Sequence, residues 1–174
     1  MLRIEVDSCA LTLLAFLAAG SACEPVPQKA PSVGQWRDVG AMCERREYAG
    51  GVRLKSGKIL AVSGHPLEGK SIASAELYDP VTAIWSITAS LRQPRNGGNT
   101  ATLLQDGRVL LAGGNNNTEA LRGAEIYDPS TGKWTDAGNL RVARDPTATL
   151  LTDGRVLVAG GIDWNMGAGK AFQA

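Results

Sequence analysis

The chain repeats itself at a fixed interval. "LLQDGRVLLAGG" (residues 103–114) returns as "LLTDGRVLVAGG" (150–161), and "AELYDPVTAIW" (75–85) returns as "AEIYDPSTGKW" (124–134). Trp36, Trp85 and Trp134 stand 49 residues apart, as do Tyr78 and Tyr127. Turn glycines recur at Gly57, Gly107 and Gly154, spaced 50 and 47. An echo of this length restricts the fold to a solenoid, a propeller or another array of like units.

Each unit reads as four short strands. In the middle one, "TATLL" runs into Asp106-Gly107, a two-residue hairpin turn whose positive φ suits Gly and is tolerated by Asp. "RVLLAG" returns, and "GAEIYD" makes a third strand. Pro129 then fixes φ for a turn in which the Asp128 side chain can bond the backbone just after it. Trp134 opens the fourth strand. Several glycines, a proline and β-branched runs in every unit, with no segment of helical period, disfavour a helical repeat. Four antiparallel strands in about 45 to 50 residues describe one blade of a β-propeller, so the fold class is all-β.

The pattern resembles the kelch repeat, which is also the repeat of the galactose oxidase propeller. The resemblance rests on a Gly-Gly pair after the second strand (Gly113-Gly114, Gly160-Gly161), a Tyr in "YDP" (Tyr78, Tyr127), and a Trp seven residues later (Trp85, Trp134). It covers residues 36 to about 161. The first unit departs from it, with Ser63-Gly64 in place of Gly-Gly. The resemblance implies that these residues are structural. Glycines turn where a Cβ would collide, and Tyr and Trp fill the space between blades.

Trp36 opens a lone fourth strand; two full units follow, then one further hairpin over residues 147–160. That makes about two and a half blades, an incomplete ring, where propellers use roughly 4 to 8. The last dozen residues lose the pattern abruptly. The expectation is a fragment of a longer reading frame, ahead of assembly with other chains or an open stack.

The N-terminus reads as an export signal. "ALTLLAFLAA" (10–19) is an apolar run of ten residues followed by Gly20, Ser21, Ala22 and Cys23, too short for a bilayer span of about 20. Residues 1–22 are therefore assigned to a signal peptide, 23–35 to a Pro-rich linker, and 36–174 to the partial propeller. Two processing routes stay open. "GSA" suits ordinary cleavage, while "AGSAC" resembles a lipobox that would lipidate Cys23. Without lipid, Cys23–Cys43 is a candidate disulfide in an oxidising compartment. The protein is expected outside the cytoplasm: secreted, periplasmic or cell-surface, touching membrane only through a lipid on Cys23.

Chemistry is sparse. Net charge is +1 with no long basic block, which argues against nucleic acid. No Ser–His–Asp set, phosphate loop or CxxC pair is present. The resemblance implies, for galactose oxidase, copper held by two His and two Tyr, one Tyr linked to a Cys. This chain has one His, His65. Tyr48, His65 and Cys43 alone lie outside the structural pattern. His65 stands in the loop after the second strand, where the next unit has Asn115. The polar loop of Asn115, Asn116 and Asn117 offers amide oxygens to a sugar or a cation, and Asn116-Asn117-Thr118 is formally a glycosylation acceptor. Arg92, Arg95, Arg141 and Arg144 recur before the first strand, either lining one end of the propeller or bonding loop carbonyls. No catalytic residue, cofactor or metal site is assigned. The expected function is a non-catalytic kelch protein binding protein or carbohydrate through its loops. The alternative is the N-terminal part of a secreted galactose-oxidase-like copper enzyme.

Overall fold

The computed structural model describes residues 39–67, 69–97, 101–163 and 170–171. The assigned signal and linker, with Cys23 and Trp36, lie outside them. The fold is all-β. β1 (Gly50–Arg53), β2 (Ile59–Val62), β3 (Ala75–Asp79) and β4 (Ile84–Thr88) form one four-stranded antiparallel sheet in that order. β5 (Thr102–Leu103), β6 (Val109–Ala112), β7 (Gly123–Asp128) and β8 (Lys133–Asn139) form a second with the same order. β9 (Thr147–Leu150) pairs with β10 (Val156–Ala159), the first hairpin of a third unit, and a short pairing of β11 (Ile162–Asp163) with β12 (Lys170–Ala171) follows.

The turns form where the sequence places them. Gly57, Gly107 and Gly154 all take positive φ, at 88°, 94° and 87°. In the second and third units, the Asp before the glycine accepts from the backbone two residues on: Arg108 N at 3.0 Å and Arg155 N at 3.0 Å. Asp128 Oδ1 likewise accepts from Ser130 N at 2.8 Å. These local bonds set the register that puts apolar residues on the inner faces.

The first strands lie side by side: β1 approaches β5, and β5 approaches β9. The core sits between the first two sheets. Leu54, Leu60, Val62, Ala75 and Leu91 pack with Val109, Leu111, Tyr127 and Trp134. At the hairpin-turn end, Lys55 Nζ donates to the Gln105 carbonyl, and Gln105 Nε2 donates to Thr152 O at 3.1 Å. Each unit is thus fastened to the next through its first turn.

Candidate functional site

The aromatic pairs do interblade work. Tyr127 and Trp134 lie across β7 and β8 with ring centroids 5.1 Å apart at 45°. Both are buried, and each reaches back to the first unit: Tyr127 Oη bonds Thr88 Oγ1 at 2.8 Å, and Trp134 Nε1 donates to Ala89 O at 2.9 Å. Tyr78 and Trp85 repeat the pair, 5.1 Å apart at 43°. Trp85 is only partly buried, and its Nε1 has no hydrogen-bond partner.

The glycine pair marks close backbone approach. A Cβ on Gly113 would stand 2.5 Å from Arg144 O, and one on Gly114 would stand 3.0 Å from Asn96 O. Gly161 repeats this against Asp145 O at 2.8 Å, and Gly64 does so against Glu47 O at 2.5 Å. Gly160 has positive φ, 61°, and open space around it.

A buried ion pair also repeats. Arg46 Nη2 meets Glu76 Oε1 at 2.6 Å, and Arg95 Nη2 meets Glu125 Oε1 at 2.8 Å, all four side chains almost fully buried. Arg95 Nη1 also donates to Gly113 O and Gly123 O, at 2.9 and 2.7 Å. Arg46 Nη1 does the same to Ser63 O and Ser74 O, at 3.1 and 3.0 Å. The glutamates accept from backbone N–H groups: Cys43 and Glu44 for Glu76, Arg92 and Gln93 for Glu125. Burial pushes the Arg95 guanidinium below its ordinary value, and Glu125 opposes that. Of the arginines read from the sequence, Arg95 and Arg144 bond loop carbonyls, Arg144 reaching Gly160 O at 3.3 Å. Arg46, Glu76 and Glu125 were missed. Their own 49-residue spacing (46, 95, 144; 76, 125) was the available signal.

These arginines bring two loops together at one end of every unit. The loop before the first strand meets the loop after the second: Glu47 with His65, Asn96 with Asn115, and Asp145 N with Ile162 O at 3.3 Å. At that end the first unit departs from the others. Tyr48 stands where the second unit has Gly97 and the third has Pro146. It holds a φ of 52°, is 68% exposed, and stacks on His65 with ring centroids 5.4 Å apart at 28°. His65 Nδ1 lies 2.7 Å from Pro66 O, so Nδ1–H donates there. Leu67, 71% exposed, follows in the same loop. A Cβ at Gly97 would fall 2.2 Å from Asp145 Oδ2, so a side chain there would have to displace that carboxylate.

The Asn-rich loop is largely self-contained. Asn116 Oδ1 accepts from Thr118 N, Thr118 Oγ1 and Glu119 N, at 3.1, 2.7 and 2.9 Å. Asn115 Nδ2 donates to Asp145 Oδ2 at 3.1 Å. Asp145 Oδ1 is enclosed without a partner, and burial pushes this carboxyl up, against the Asn115 hydrogen bond. Among the described residues no group of three or more His, Cys, Asp and Glu could hold a metal ion. Cys43 is disulfide-bonded. Both other cysteines, Cys9 and Cys23, lie outside the described residues.

Residues 98–141, the span with the buried Tyr127–Trp134 pair, Gly113-Gly114 and Glu125, match the Kelch motif model. The span thus resembles a kelch repeat, as its sequence pattern implied. An F-box/kelch-repeat protein of Arabidopsis thaliana is 39% identical over 62 residues, 36% of this chain and 16% of its own length. The blades also superpose on a solved fungal alcohol oxidase of the AA5 family in complex with copper. That match has a TM-score of 0.62 and 23% identity, and it covers 72% of this chain and 30% of that one. The chain thus spans less than a third of either protein. The likeness is one of fold, and in that protein the fold hosts an oxidase. The expectation of a non-catalytic protein is therefore corrected. It rested on the lack of a visible catalytic set, and in a propeller a site is gathered at the loop ends of many blades, of which this chain has few.

The donor set present does not fit a copper centre. The resembled enzyme uses two His and two Tyr, whereas this chain has one imidazole and one loop-end phenol, stacked as rings. The other two tyrosines, Tyr78 and Tyr127, are buried against tryptophans.

Proposed function

We propose that this chain is the N-terminal part of a secreted, galactose-oxidase-like copper enzyme, acting on a primary alcohol. One observation carries the reading. In a fold shared with an alcohol oxidase, two ring-bearing residues that leave the repeat, Tyr48 and His65, meet at the loop end. The blades serve as scaffold, and Tyr48, His65 and Leu67 give the first unit a face for the reacting molecule. Metal ligands come from blades outside the described residues. The apolar run at residues 10–19 and the disulfide at Cys43 support export to an oxidising compartment.

Copper binding tests this. The product of the complete reading frame is expected to retain one copper per chain through dialysis, while residues 36–174 alone retain none. A complete product without copper, or without further His and Tyr residues in its added blades, would sink the proposal.

A further inference from the structure

We propose that Asn117 is a positioning residue: from the second unit it fixes the first-unit loop that carries His65 and Leu67, and so sets the Tyr48–His65 surface. The importance of that surface rests on the reading above; the tether itself does not.

The loop needs an outside hold. Its base is closed by Ile72 N donating to Gly64 O at 2.8 Å, and its near side by the Glu47–His65 backbone pair at 2.7 and 3.0 Å. Among the described residues, the backbone from Pro66 to Ser71 makes no backbone hydrogen bond of its own. A segment so lightly bonded opens at low free energy unless side chains hold it.

Asn117 supplies the hold. Its Nδ2 donates to Gly69 O at 2.9 Å, and its Oδ1 accepts from Ser71 Oγ at 3.0 Å and from Asn96 Nδ2. The donor loop is rigid enough for this. Asn116 N donates to Glu119 O at 3.1 Å, the Asn116 side chain closes the turn, and Asn117 N donates to Asn115 Oδ1 at 3.1 Å. Asn117 sits at φ 74°, a left-handed conformation that Asn tolerates better than other side chains. That conformation aims its amide out of its own turn and into the neighbouring unit. A self-closed loop thus anchors its neighbour in the first unit.

The sole histidine of the chain is His65, so its Cε1–H proton gives a single assignable NMR line in tag-free protein. The Tyr48 ring over the imidazole displaces that line upfield, and Tyr48→Leu defines the position without the ring. Asn117→Ala and Asn117→Gly should both move the line toward the Tyr48→Leu position and speed amide exchange at Gly69 and Ser71, with β7 unchanged. Asn117→Gly keeps the left-handed backbone available, which separates loss of the amide from backbone strain. Asn117→Asp keeps the acceptor for Ser71 and should restore part of the displacement. An unmoved line in folded Asn117→Ala and Asn117→Gly proteins overturns the proposal. So does loss of folding in both, which would make Asn117 a residue of the fold instead. The line needs neither copper nor turnover, so a failed oxidase reading leaves this result standing, and the reverse holds too.

Discussion

Asp145 shows how much one side chain at the loop end is asked to tolerate. Its Oδ2 has Asn115, its Oδ1 has no partner, and burial raises its pKa above the ordinary 3.8. A carboxyl whose folded pKa is raised costs stability when ionised. The cost is absent below the unfolded value, grows as pH rises through it, and is complete above the folded value. Asp145→Asn keeps an acceptor for Asn115 and removes the charge. It should stabilise the protein at neutral pH by about 1 kcal/mol, discounted for the solvent-facing side of the group. Thermal melts of both proteins across the acid range should converge as pH falls below the ordinary Asp value. A gain that persists there would mean that charge is not its cause. Tyr48 is the other unusual residue at this end, with positive φ in a non-glycine residue and an exposed ring. Strain of that kind costs about 1 to 3 kcal/mol and clusters at functional sites.

Between elements, the pairing of aromatic plates decides how units stack. Trp134 is buried against the first unit with its indole N–H bonded, whereas Trp85 is partly exposed with its N–H unbonded. Trp134→Ala should therefore cost about 3 to 5 kcal/mol, and Trp85→Ala about half of that, in urea unfolding. Equal losses would show that the second unit does not lean on the first in the way described. Strand order and turns were legible in the sequence because they depend on local chemistry. The Asp-Gly turns, the "YDP" turn and the Tyr–Trp spacing each declare themselves within a dozen residues. The Arg–Glu bridges were less visible, since a repeated Arg looks like a solvated charge until the fold buries it against carbonyls. The meeting of Tyr48 with His65 was not legible. It depends on the loop before β1 lying beside the loop after β2, a contact that β1–β2 pairing creates. The reach of Asn117 into the neighbouring loop depends in turn on blade stacking.

For the whole molecule, the chain supplies two four-stranded antiparallel blades and the first hairpin of a third. Its fold is shared with a copper-containing alcohol oxidase over 72% of its length, yet the donor set among its described residues does not fit a copper centre. The structural residues are numerous and periodic, so they dominate any reading of the sequence. Tyr48 and His65 appear instead as departures from the period. The proposed activity oxidises a primary alcohol to an aldehyde while dioxygen takes up two electrons and two protons to become hydrogen peroxide. Alcohol-dependent peroxide release by the copper-loaded product of the complete reading frame tests this most directly. Release should occur and should fall at least tenfold in kcat/KM, about 1.4 kcal/mol, when Tyr48 is replaced by Ala. Absence of release with every primary alcohol tried, or release indifferent to Tyr48→Ala, would contradict it.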